Sequence, residues 1–256
     1  MNVLILSDLH LVSPDDPNQE WQRRRAHFVE GRRSLPALRK AIARESPDYL
    51  ICLGDLVDWY SDENRDYALE FLHSLRIPWS MTPGNHDASS PGPDSVSIGL
   101  QGWTESGVHV DNRMIMLDSL HAFLVNSFDS GVPHGTGDWL RETLTPGVSS
   151  AVFTHVPPDT KETRTAILER DPGRNLTKYV QSGAPELFEY ALSGRVHGVW
   201  CGHLHFPACV MLEGTHIHIL PLSVHAHGKH YPGQGSFQVL DTGTLETRRI
   251  SYAGEY

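Results

Sequence analysis

Val3-Leu4-Ile5-Leu6-Ser7-Asp8-Leu9-His10 is an apolar run that stops on two side chains able to bind a metal. A short apolar block bounded by polar residues reads as a strand buried on both faces. Alternation along an extended backbone sends Asp8 and His10 to the same side, just past the strand's carboxyl end. The pattern recurs down the chain. Tyr49 to Leu53 runs into Gly54-Asp55, and Trp79 to Thr82 into Pro83-Gly84-Asn85-His86-Asp87. Ala151 to Thr154 runs into His155, and Val196 to Cys201 into Gly202-His203-Leu204-His205.

Met114 to Leu117 and Ala122 to Asn126 are further strand-like runs. Helical spacing occupies Leu35 to Ala43, Tyr67 to Leu75, Asp138 to Leu144 and Pro185 to Leu192. The alternation predicts an α/β fold with strands covered on both faces. After His205 the pattern changes. Ala208 to Leu212, His216 to Leu220, Ser236 to Leu240 and Thr247 to Ser251 are strands separated by turns, and predict a second sheet over about 206–252 packed on the first. Residues 1–256 are expected to form a single domain, with its polar strand tips between 8 and 205.

Ligands of open α/β sheets bind beyond the carboxyl ends of strands, so five polar tips at five such ends are expected to share one crevice. Gly54, Gly84 and Gly202 permit tight turns that bring the next side chain inward. A lone Asp-x-His or Gly-Asp carries little weight. The ordered set carries much more.

The 256 residues hold 21 Lys and Arg against 31 Asp and Glu, a net charge of −10, which argues against a duplex nucleic-acid surface. The one basic cluster, Arg23 to Arg25 with Arg32 and Arg33, reads as a solvated helical face. Cys52, Cys201 and Cys209 are few and odd in number, and read as reduced core thiols. No basic leader precedes the first apolar run, so a cytoplasmic location is expected. The polar segment Ser13 to Glu20 and the charged segment Asp159 to Lys178 are candidate specificity insertions, since loops on rigid scaffolds carry recognition. His225-Ala226-His227-Gly228-Lys229-His230-Tyr231 reads as a surface loop, with a cationic contact to phosphate as the alternative.

Asp8-x-His10, Gly54-Asp55, Gly84-Asn85-His86-Asp87, His155 and Gly202-His203-x-His205 resemble, block by block and in order, the calcineurin-like metallophosphoesterase superfamily. The resemblance implies a four-layer sandwich of two mixed β-sheets flanked by helices. It further implies that Asp8, His10 and His205 bind one metal ion, that Asn85, His155 and His203 bind a second, and that Asp55 bridges the pair. Imidazole, carboxylate and amide ligands without thiolate suit Mn, Fe or Zn. Two such ions can share a hydroxide that attacks a phosphate ester in line. By the same resemblance Asn85 and His86 contact the phosphate, His86 acts as general acid, and the carboxylate of Asp58 orients it. Asp87 is the rival partner for His86, its alternative being a cap or turn role.

The residue after Asp58 is Trp59, where protein phosphatases of the superfamily place a phosphate-binding arginine, which argues against a phosphoprotein substrate. Leu117-Asp118-Ser119, Trp139-Leu140, His155-Val156-Pro157-Pro158 and Asn175 look like the class III cyclic-nucleotide phosphodiesterase branch. Asp118, Trp139 and Pro157-Pro158 also have plain readings, as a strand-end carboxylate, a packing residue and a rigid turn. The expected activity is therefore hydrolysis of a small phosphodiester or phosphomonoester. A non-catalytic binding scaffold and a nuclease of the superfamily are the alternatives. The first would lose ligands, which are all present, and the second would need a basic groove.

Overall fold

A computed structural model describes residues 1–129, 131–182, 192, 194–225 and 234–253. Its strands are β1 (Asn2–Leu6), β2 (Tyr49–Cys52), β3 (Trp79–Met81), β4 (Arg113–Leu117), β5 (Leu120–Val125), β6 (Ser150–Thr154), β7 (Gly198–His205), β8 (Ala208–Leu212), β9 (Thr215–Pro221), β10 (Gly235–Asp241) and β11 (Thr247–Tyr252). Helices α1 (Gln19–Arg24), α2 (Ala26–Val29), α3 (Leu35–Glu45), α4 (Asp62–Ser74), α5 (Gln101–Glu105), α6 (Thr136–Thr143) and α7 (Lys161–Arg170) lie between them.

One sheet has the order β11-β10-β1-β2-β3 and the other β4-β5-β6-β7-β9-β8. β1, β2 and β3 are parallel, as are β5, β6, β7 and β9, while β4, β8, β10 and β11 pair antiparallel. Alternation divides each strand between two cores. Leu4, Leu6, Leu50 and Cys52 pack with Leu38 and Ile42 of α3 and with Phe71 and Leu72 of α4. Val3, Ile5, Ile51 and Leu53 meet Ala122, Phe153, Trp200 and Leu220 of the second sheet. The other face of that sheet, with Phe123, Val152, Val199 and Ile217, is covered by Leu140 of α6 and Ile167 of α7. The layers therefore run helix, sheet, sheet, helix, as expected.

The expectation that the C-terminal strands make a second sheet of their own does not hold. β8 and β9 extend the sheet containing β7, whereas β10 returns to pair with β1 and β11 follows it. Pairing of this kind is non-local, and neither turn residues nor strand propensity encode it. Two helices also depart from expectation. α4 begins five residues early because Ser61 caps it, its hydroxyl accepting from the Asn64 amide at 3.1 Å. Thr160 caps α7 in the same way through the Thr163 amide at 3.1 Å, so the supposed insertion loop is partly helix. The helix expected over Pro185 to Leu192 lies largely outside the described residues. Cys52 and Cys201 are buried as expected, but Cys209 is exposed on β8, the edge strand.

Candidate metal centre

All five strand tips converge, although not by strand alternation. Asp8 (φ 54°), His10 (φ 45°), Asp55 (φ 50°), His203 (φ 69°) and His205 (φ 59°) lie in the left-handed region, which is rare for side chains other than glycine. Each such residue costs about 1–3 kcal/mol and persists only where its surroundings over-determine it. Backbone bonds provide that restraint: the Asp8 amide donates to Gly54 O at 3.0 Å and the His10 amide to Asp55 O at 2.9 Å. On β7 the pairing with β9 shifts register between Cys201 and His205, and this irregularity turns His203 and His205 towards the first sheet.

The glycines allow the backbones to meet. A Cβ on Gly84 would overlap Asp55 and stand 2.8 Å from His155 Cε1, and one on Gly202 would come within 2.5 Å of Asp8 Oδ2.

Three groups of potential ligands result: His10, Asp58 and His86 form one, and the other two are joined by Asp55. Of these two, Asp8, His10, Asp55 and His205 form the first, with His205 Nε2 at 3.3 Å from Asp8 Oδ1 and His10 Nε2 at 3.7 Å from Asp55 Oδ2. Asp55, His155 and His203 form the second, with His155 Nε2 at 3.3 Å from Asp55 Oδ2. Asn85 Oδ1 joins it, 3.3 Å from His155 Nε2.

Outer contacts leave one nitrogen of each of three histidines for the centre. His10 Nδ1 lies 2.9 Å from Asp58 Oδ1, His155 Nδ1 2.6 Å from Leu53 O, and His203 Nε2 2.9 Å from Lys178 O. The remaining His203 Nδ1, and Asp55 Oδ2, are buried without a hydrogen-bond partner among the described residues. Orphaned buried atoms of this kind are uncommon and fit an ion.

Electrostatics agree. Burial opposes charge on Asp8 and Asp55, yet the surrounding histidines hold both carboxyls below the ordinary range, Asp55 well below it. Burial pushes His10 and His203 down to about 4, keeping them neutral as ligands must be. Burial would lower His155 too, but the Asp55 carboxylate outweighs it and lifts His155 to about 9. The buried carboxylates thus favour positive charge at the centre, and a divalent cation held there would supply it, with His155 then binding as a neutral imidazole.

His86 sits at the edge of this group, its side chain 28% exposed against 0% for His10. Its orienting acceptor is not the one expected. Nδ1 donates to the backbone carbonyl of Asp58 at 2.7 Å, whereas the Asp58 carboxylate is 3.6 Å away. That carboxylate is committed to His10 and to Arg25, whose Nε donates to Oδ2 at 2.7 Å and Nη2 to Oδ1 at 2.5 Å. Asp87 proves to be a turn residue, accepting from the Gly84 amide at 2.8 Å and the Val57 amide at 3.2 Å. Burial and the neighbouring Asp55 raise it to about 7.

Arg25 corrects the reading of the basic cluster as a solvated face. It lies at the C-terminal end of α1, packs over the Phe28 ring at 4.5 Å and reaches Asp58. Phe28 in turn stacks on His10 with centroids 4.3 Å apart. Neither residue carried a sequence signal, because a mixed polar segment shows no motif. Of the candidate insertions, 13–20 is anchored inward: Asp16 is buried and accepts from Trp59 Nε1 at 3.1 Å and Ser61 Oγ at 2.6 Å. Asp159 to Lys178 reaches the centre through the Lys178 carbonyl. His225 is neither on the surface nor at the centre. It is buried, with Nε2 at 3.0 Å from Tyr252 O. His227 lies outside the described residues. Trp139 packs on Phe123, the plain role expected for it, and Asn175 caps a 3-10 turn, its side chain accepting from the Thr177 amide.

Residues 1–207 match the family described as calcineurin-like phosphoesterase. A 3',5'-cyclic-nucleotide phosphodiesterase from Nostoc sp. is 24% identical over 160 residues, which cover 62% of this chain and 57% of that protein. The chain thus spans little more than half the length of this curated relative. A dimetal phosphatase from Danio rerio superposes with a TM-score of 0.65 at 13% identity, covering 100% of this chain and 96% of that one. The phosphopantetheinyl hydrolase of Mycobacterium tuberculosis gives a TM-score of 0.50 at 15% identity, over 86% and 89% of the two chains. These structures share the fold. With the family match over most of its length and a cluster of Asp and His side chains able to hold metal at its strand tips, the chain belongs to the calcineurin-like phosphoesterase family.

Proposed function

We propose that the protein hydrolyses a small phosphodiester or phosphomonoester at a dinuclear centre. Asp8, His10 and His205 would hold one ion, Asn85, His155 and His203 the other, and Asp55 both. The observation that carries this reading is the pair of ligand groups overlapping at the buried Asp55. Nitrogen and oxygen donors of this kind suit Mn, Fe or Zn. When bound, two such ions activate water at neutral pH and offset charge on the phosphoryl group.

The chain's own residues supply the rest. His86, more exposed than His10 and fixed through Nδ1 to the Asp58 carbonyl, keeps Nε2 to donate to a phosphoryl oxygen or to protonate the departing oxygen. Asn85 belongs to the same turn and adds an amide donor for the phosphate. Asp58 is a positioning residue for His10 through its carboxylate and for His86 through its carbonyl.

The similarity to a cyclic-nucleotide phosphodiesterase favours a diester over a phosphoprotein, as does Trp59, which is buried against Asp16 rather than facing the centre. The test is a panel of bis(p-nitrophenyl) phosphate, p-nitrophenyl phosphate, cyclic AMP and glycerophosphodiesters, assayed with manganese-loaded protein and with protein stripped of metal. Hydrolysis by the loaded form alone is expected. Equal rates for both forms would reject the metal-dependent reading, and preference for a phosphorylated protein over every small ester would reject the substrate class.

A further inference from the structure

A second cluster of metal-ligating side chains lies away from the strand tips. Cys209 on β8 and His218 on β9 are directly opposed across the antiparallel pair, and His216 is two residues before His218 on the same face. One ligand atom from each falls within 4.8 Å of the other two, and Cys209 Sγ is 3.8 Å from His216 Nδ1. Ligand atoms of one tetrahedral zinc ion stand roughly 3.3–3.7 Å apart, from bond lengths of about 2.0–2.3 Å. The present spacing approaches that arrangement before any side chain moves.

We propose that Cys209, His216 and His218 form a mononuclear site for a thiophilic divalent cation of the zinc type, separate from the phosphoesterase centre. A thiolate and two imidazoles are a zinc-type donor set, unlike the sulfur-free set at the strand tips. Support for the site comes from both sides of it. His218 is stacked on the buried Trp200, with centroids 4.7 Å apart and planes at 11°, so its ring is held in one orientation. His216 lies nearly parallel to it at 5.9 Å.

Cys209 is exposed, which leaves a fourth position open to water. The site would clip together the hairpin at one edge of the six-stranded sheet, where no further strand among the described residues pairs with β8.

Cobalt(II) distinguishes this site from the phosphoesterase centre, because thiolate ligation gives an intense near-ultraviolet charge-transfer band that nitrogen and oxygen ligands do not. Titration of the metal-stripped full chain should develop that band up to about one cobalt–thiolate bond per chain, and zinc should abolish it. The band should be absent from Cys209→Ser and weakened in His216→Gln, while Cys209→Ser keeps its phosphoesterase activity. No band in the wild-type protein while the phosphoesterase centre fills with cobalt would overturn the proposal, as would a band that survives Cys209→Ser. Should Cys209→Ser fail to fold, alkylation of wild-type Cys209 by iodoacetamide serves instead. Protection by zinc is expected, and an unchanged alkylation rate would overturn the site without touching the phosphoesterase reading.

Discussion

Asp58 Oδ1 lies 2.9 Å from His10 Nδ1, a buried carboxylate facing the ring nitrogen turned away from the metal centre. This contact fixes the His10 tautomer and leaves Nε2 for an ion. Asp58→Asn is therefore expected to weaken metal binding by roughly 10- to 100-fold, the usual effect of losing an outer-shell carboxylate. Because His86 is bonded to the backbone of Asp58, its own orientation should survive. Calorimetric titration of manganese checks the first expectation, and near-normal turnover at saturating manganese checks the second.

His86→Ala should leave both ions in place and lower kcat by roughly 100- to 10,000-fold, the range typical of a lost proton donor. Elemental analysis and turnover of bis(p-nitrophenyl) phosphate are measured on one preparation. Loss of metal in this variant would make His86 a ligand instead.

Gly84→Ala is expected to abolish metal binding. The new methyl overlaps Asp55, and neither Asp55 nor His155 can retreat from a fully packed strand tip. A destabilisation of about 1–3 kcal/mol should accompany the loss, as for other overpacked sites. Denaturant unfolding of the metal-stripped protein separates this strain from the effect of missing ions.

Trp200→Ala should cost about 3–5 kcal/mol, as for other large aromatic residues removed from a core. Trp200 is completely buried between the sheets, stacks on Phe153 at 5.4 Å and donates from Nε1 to Gln238 at 2.9 Å. Truncation leaves both a void and an unpaired amide oxygen. Guanidinium unfolding, compared with the milder Trp200→Phe, measures the two contributions.

Much of the centre was legible because strand tips are local: an apolar run ending in Asp8, Asp55 or His155 announces itself within a few residues. The ordered motifs then brought the tips together. What stayed hidden depends on distant partners. That β10 pairs with β1 is decided by packing across the whole fold, and turns such as Asp241-Thr242-Gly243 are silent about it. Arg25 was misread for the same reason, since its partner Asp58 is 33 residues away and the helix bearing it looks solvent-facing in isolation. The left-handed backbone at Asp8 and His10 was also out of reach. The residues there are not glycines, and only the surrounding fold holds them in that conformation.

The proposed ligands come from both sheets. Asp8, His10, Asp55 and Asn85 follow strands of the five-stranded sheet, and His155, His203 and His205 belong to or follow strands of the six-stranded one. Each proposed ion would therefore be a rivet through the seam, and its coordination a gauge of how the two layers are aligned. A lesion deep in the interlayer packing would then show up spectroscopically at the centre before the protein lost its shape.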